Sequence, residues 1–209
     1  TADPEEIHTI NVPKGVGMTF TPEGRFFLAA QAPVGSSSPG YLYEVNPDDF
    51  TTTKVMDLTF SPSTLEAWDN DTLLAAPASF MTSGIQRINL ATLEIASINF
   101  NDSINERSAD IVAVPASNEL VIAETNSSPA TVWQFSYDGN ITANLVGEAD
   151  RAFNGIIGNI AVSPDGTTAY VANAGIPYMV RRVSLNSNPL TVSGGFDTGA
   201  YPAGVAIDF

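Results

Sequence analysis

Residues 162–175 read VSPDGTTAYVANAG, with GNIAVSP running into them from Gly158 and YMVRRVSL following from Tyr178. Ser163-Pro164-Asp165-Gly166 is a tight-turn signal: proline presets the backbone at the second position, and glycine tolerates the conformation that closes the turn. Apolar, β-branched and aromatic residues lie on either side, so the stretch predicts a β-hairpin. The plan recurs in FTPEGRFFLAAQ from Phe20, WDNDTLLAAP from Trp68 and VPASNELVIAET from Val114. Each second run ends in small residues: Leu28-Ala29, Leu74-Ala75, Ile122-Ala123 and Val171-Ala172. A spacing of about 46 to 49 residues is that of a propeller blade or a similar array.

Working outward from the best repeat gives one blade. GNIAVSP, TTAYVANA, YMVRRVSL and PLTVSGGF predict its four strands. GYLYEVNP with TTKVMDLTF, GIQRINL with EIASINF, and TVWQFSYDGN with ITANLVGE supply third and fourth strands for the others. Asn46-Pro47 and Asp138-Gly139 mark turns between them. Apolar and polar residues alternate poorly, as expected of strands covered on both faces. No stretch carries a helical stripe, so almost no helix is expected. The expected fold is an all-β propeller of four-stranded antiparallel blades, with approximate repeats 15–60, 61–107, 108–155 and 156–200.

EEIHTINVP, before the first repeat, reads as a fourth strand, and YPAGVAIDF, after the last, as a first strand. Propellers close by pairing terminal strands within one blade. Here that further blade would hold its first and fourth strands without the middle two. A fragment of a longer propeller, a ring completed by another chain, and irregular terminal pairing all fit; an incomplete ring is favoured. Open end blades would expose apolar faces and invite association.

Composition narrows the function classes. The chain has 209 residues, 23 acidic against 8 basic, and a net charge of -15. Such a surface repels phosphate backbones, so no nucleic-acid partner is expected. Absence of cysteine removes thiol catalysis, disulfides and cysteine metal sites. No apolar run reaches the roughly 20 residues of a membrane helix, and no membrane insertion is expected. A lysine-poor, Ser/Thr/Asn-rich chain beginning at Thr1 fits a secreted, extracellular protein after signal removal. Sequons at Asn70, Asn101, Asn126 and Asn140 fall in expected loops and are candidate N-glycosylation sites.

SPDGTTAYVANAG followed by GAYPAGVAIDF resembles the repeat of YVTN-type β-propellers, well over Gly158 to Phe209 and loosely over the earlier repeats, where TPEG, DND and ASN replace SPDG. These repeats are similar to those of extracellular scaffolds, NHL-repeat proteins and gluconolactonase/senescence-marker-protein-like propellers. The last resemblance implies a divalent cation, such as calcium, in the central channel, held by Glu, Asn and Asp at the starts of inner strands. Matched onto this chain, those positions are Val16, Asp110, Gly158 and Ala203, with Thr64 as an uncertain fifth. Asp110 alone is a ligand type. Asn159 stands one place out of register, and Glu66 needs a shifted alignment.

Other chemistry finds less support. His8 is the single histidine, so triad machinery would have to be built around it. Asp48-Asp49, Glu5-Glu6 and Asp69 with Asp71 are neighbours in turns or strands rather than carboxyls across a cleft. Arg181-Arg182 reads as a solvated strand face. Trp68, Trp133, Tyr41 and Tyr43 are expected to pack between blades. Tyr178 and Tyr201, placed at connections on the disc face, are candidate binding aromatics, and the loop from Gln31 to Gly40 is a further candidate. The expectation is an extracellular, non-catalytic binding or assembly module without a cofactor. Its partner would be a protein, a glycan or the chain itself through open blade edges. A metal-dependent lactonase or esterase is the alternative.

Overall fold

The computed structural model describes residues 9–78, 84–100, 109–124, 128–200, 202 and 205–206. Among these the chain is all-β, with one 3-10 turn at Pro115–Ser117. Four antiparallel sheets form a four-blade propeller arrangement, and each blade's four strands follow one another in chain order.

Blade 1 contains β1 (Gly15–Phe20), β2 (Phe26–Gln31), β3 (Gly40–Val45) and β4 (Thr52–Leu58). Blade 2 contains β5 (Pro62–Ala67), β6 (Thr72–Pro77), β7 (Gln86–Asn89) and β8 (Glu94–Ser97). After the two-residue β9 (Asn99–Phe100), blade 3 contains β10 (Ala109–Val114), β11 (Glu119–Glu124), β12 (Ala130–Tyr137) and β13 (Thr142–Phe153). Blade 4 contains β14 (Ile157–Val162), β15 (Thr168–Asn173), β16 (Met179–Ser184) and β17 (Thr191–Asp197).

The turn that decided the fold is built as its residues require. Gly166 N–H donates to Ser163 O at 2.8 Å, with Gly166 at φ +70°. Asp165 Oδ1 accepts from the Ser163 hydroxyl at 2.6 Å and from the Thr167 main chain at 3.1 Å. Asp69-Asn70-Asp71 also forms a hairpin turn, in which Asp71 N–H donates to Asp69 Oδ1 at 2.8 Å.

The second strands of blades 2 and 3 are apolar on both faces because each lies between two blades, and β2 lies between blade 2 and the segment holding Ile10 and Val12. Phe27 and Ala29 of β2 pack with Leu65, Leu73 and Ala75 of blade 2. Leu74 and Ala76 face Leu120, Ile122 and Phe135 of blade 3. Val121 and Ala123 face Ile160, Val162 and Val171 of blade 4. Both tryptophans are buried between blades 2 and 3, as expected. Gly17 admits a close approach of inner strands β1 and β5: a Cβ there would stand 2.6 Å from Leu65 N.

Several details depart from the sequence reading. EIASINF is two strands rather than one. Ile98, buried between blades 2 and 3, donates its N–H to Ile85 O at 2.9 Å, and the chain then crosses to add β9 in parallel beside β13. Residues 9–12, expected in a fourth strand, carry no strand pairing; Ile10 and Val12 pack against Phe26, Leu28 and Val45 on the far face of blade 1. Arg182 is exposed, but Arg181 is only half-exposed because it pairs with Val171, which faces blade 3.

Candidate functional site

Inner strands β1, β5, β10 and β14 line up around the hub, each packed on the next. A strand in this position pairs along one edge with its own blade, while main-chain groups on the other edge need acceptors. Four side chains supply them, each reaching about one repeat down the chain.

Thr19 Oγ1 accepts from Ala67 N–H at 3.1 Å, linking blades 1 and 2. Glu66 accepts from Ala113 N–H, linking blades 2 and 3. Asp110 Oδ2 accepts from Ile160 N–H at 2.8 Å, linking blades 3 and 4. Asn159 Oδ1 accepts from Val205 N–H at 2.6 Å, linking blade 4 to the segment beyond it. Thr64 also hydrogen-bonds to Asp110, so that carboxylate joins blades 2, 3 and 4.

The structure therefore brings Glu66 and Asp110 together and places Asn159 in the next link. β-Bulges explain why no fixed sequence register collected them. The inner hairpins shift register between Gly15 and Gly17, between Pro62 and Thr64, and between Ile157 and Ile160. Each bulge turns the following side chains by one place. Thr19 was missed by sequence reasoning. Its signal was a polar residue in an inner strand one repeat before a small residue.

Burial sets the electrostatics of the pair. Desolvation pushes the Glu66 carboxyl up to about 7; the Ala113 N–H opposes the rise and the charge of Asp110 adds to it. Burial likewise raises Asp110 above the ordinary aspartate value, against the hydrogen bonds from Ile160 and Thr64. A calcium ion takes six to eight oxygen ligands. Among the described residues no group of three or more His, Cys, Asp or Glu side chains is placed to hold a metal. Among the described residues, two carboxyls and one amide stand at these links, each already accepting a main-chain N–H.

The remaining candidates lie elsewhere. Tyr178 is half-buried just before β16, and its carbonyl accepts from Thr198 N–H at 3.1 Å. Tyr201, Asn101, Asn126, His8 and Ala203 lie outside the described residues. Asn70 Oδ1 accepts from Glu23 N–H at 2.9 Å, while exposed Asn140 bonds Asp138. In the Gln31–Gly40 loop, Ser38 anchors the chain to Leu58 O at 2.8 Å and Val34 is exposed. A polar groove at one end of blade 3 is lined by Asn118, Ser136, Asp138, Asn140, Thr142 and Asn144.

No protein-family model matches the chain. No curated protein matches it either. Solved structures do. An auxiliary nutrient binding protein from Bacteroides ovatus is similar at 11% identity and a TM-score of 0.65, over 92% of this chain and 50% of that one. A nidogen/laminin complex is similar at 11% and 0.61, over 82% and 60%. TolB from Acinetobacter baumannii is similar at 12% and 0.60, over 86% and 43%. These likenesses establish the propeller fold, and the chain spans about half the length of the structures it matches.

Proposed function

We propose that the chain is an extracellular, non-catalytic β-propeller module of YVTN-like repeats, used for binding or assembly. One observation carries this reading: the polar side chains of the hub are committed to the main chain of the next blade, which leaves the outer surface for recognition. That surface offers the amide- and hydroxyl-lined groove on blade 3 for a glycan or polar protein segment. It also offers exposed Phe196 on blade 4 for apolar contact, including contact with further copies, and Met18 and Phe20 of inner strand β1 are exposed as well. The similar nutrient binding protein and nidogen/laminin complex support such a role through their names.

A metal-dependent lactonase or esterase is the second reading, favoured by one feature. Two half-buried carboxyls, Glu66 and Asp110, sit together with raised proton affinities, as active sites often arrange. In that case calcium or another divalent cation would use them, with further oxygen ligands required. Acid release from gluconolactone, followed with and without added calcium, separates the two. A binding module leaves the rate at the buffer background in both, and Asp110→Asn changes nothing. Saturable, calcium-dependent hydrolysis lost in Asp110→Asn would overturn the binding reading.

A further inference from the structure

β12 and β13 are joined by Asp138-Gly139-Asn140-Ile141, and the sequon Asn140-Ile141-Thr142 starts in that turn and ends on the first residue of β13. The turn is held from several sides. Asp138 accepts from the Asn140 main chain at 3.1 Å and, through its other oxygen, from Asn140 Nδ2 at 2.9 Å. The Tyr137 hydroxyl donates to Asn140 O at 2.7 Å, and Arg87 Nε of blade 2 donates to Gly139 O at 2.6 Å. Asn140 and Thr142 are nonetheless exposed, and Ile141 between them keeps 54% of its surface in water.

The same residues line the polar groove of blade 3. Asn140 and Thr142 supply part of its wall, and Asn118, Ser136 and Asn144 continue it. Ser136 and Asn144 are cross-strand partners at exposed positions of β12 and β13. Asn118 sits at φ +55° in a turn pinned to β12, its carbonyl accepting from Tyr137 N–H at 2.8 Å. The space is about 480 Å³, within the roughly 300–1,000 Å³ of small-molecule sites. Amides and hydroxyls both donate and accept hydrogen bonds, which suits the hydroxyls and acetamido group of a neutral amino sugar. None of the described residues lining the groove is cationic, so nothing there attracts an acidic ligand.

The other described sequon offers no such seat. Asn70 Oδ1 is engaged by Glu23 N–H at 2.9 Å, and Thr72, which completes the sequon, is 3% exposed within β6.

We propose that Asn140 carries an N-linked glycan whose first sugar lies in the blade 3 groove. The bond forms between Asn140 Nδ2 and C1 of a sugar activated as the diphosphate ester of a lipid carrier. The C1–O bond to the diphosphate breaks, the diphosphate leaves, and Nδ2 gives up one of its two protons. The other proton stays, so the bond to Asp138 survives the linkage. A fixed turn starts the sugar from a fixed point, and covalent attachment removes most of the cost of bringing it to the groove. Exposed Ile141 stands beside the linkage for the C–H face of a sugar ring. This rests on the extracellular reading and deepens it, because the glycan of the groove becomes the chain's own.

The test compares the full chain secreted from eukaryotic cells, trimmed to the first sugar, with the same chain made in bacteria without sugar. The Asn140 peptide should carry one N-acetylhexosamine by mass. The side-chain amide signals of Asn118 and Asn144 should shift, and hydrogen exchange across residues 136–144 should slow by about tenfold. Asn140→Gln from the same eukaryotic cells should return signals and exchange to those of the bacterial chain. An unmodified Asn140 overturns the proposal. So does a modified one whose groove signals and exchange match the sugar-free chain, the result expected of a glycan hanging in solvent. Either result leaves the groove open to a free glycan or polar segment, so the binding reading stands apart and lactone hydrolysis decides it separately.

Discussion

Glu66→Gln should make the propeller more stable near neutral pH and flatten its pH dependence. Folding moves Glu66 from an ordinary value of 4.5 to about 7. Between those two values the unfolded chain has released this proton and the native chain still holds it. Stability must therefore fall as pH rises through the window, by up to about 1.4 kcal/mol per pH unit, and level off above about 7. Over the full shift of 2.5 units the loss has a ceiling of about 3.4 kcal/mol. The residue is only half-buried, so solvent screens the charge and the observed change should fall below that ceiling. Glutamine keeps an oxygen to accept the Ala113 N–H and never ionises. Urea unfolding of parent and variant at steps from about pH 4.5 to about pH 8 measures the difference. The variant should match the parent at the acid end and gain stability steadily toward neutrality. Parallel curves at all pH values would refute the buried-carboxyl account.

Further outcomes follow from neighbouring contacts. Asp110→Asn retains an acceptor for Ile160 N–H and removes the charge facing Glu66, so the Glu66 midpoint should drop below about 7 when followed by carboxyl-carbon NMR. Thr19→Val keeps the side-chain shape but strips the Ala67 N–H of its acceptor, and urea unfolding should show a loss of about 1–3 kcal/mol. Gly139→Ala forces a side chain into φ +86° and places its Cβ 2.7 Å from Trp68 Nε1. A loss of about 1–2 kcal/mol from the backbone alone, with a shifted tryptophan emission, is the expected result.

Much of the fold was legible because each blade is a local object. Turn residues such as Ser163-Pro164-Asp165-Gly166 specify a hairpin within a few positions, and runs such as FFLAAQ and TLLAAP declare strands covered on both faces. The hub was legible only in part. Glu66, Asp110 and Asn159 were noticed as polar residues of inner strands, but bulges in the inner hairpins placed them out of step with one another. Thr19 escaped because threonine is common in strands, and nothing near it in sequence tells of Ala67 across the blade boundary. β9 was invisible for a related reason: Ile98, which looks like one more residue of a continuous strand, is the point where the chain leaves one blade for the next.

The hub links also explain why a metal-ligand pattern and a structural pattern look alike in such a chain. Both need oxygen-bearing side chains on inner strands at one repeat's spacing, because the channel wall repeats with the blades. They differ in where the oxygens point. A cation requires convergence on the axis, whereas an unpaired N–H requires each side chain to reach sideways to the next strand. In this protein the partners are Ala67, Ala113, Ile160 and Val205, all main-chain donors in or beyond the following inner strand. A threonine, a glutamate, an aspartate and an asparagine serve interchangeably, as expected when only one acceptor oxygen is needed. Burial then raises the proton affinity of the two acids. Stitching one blade to the next is thus sufficient to place both carboxyls at the centre and to raise their proton affinity.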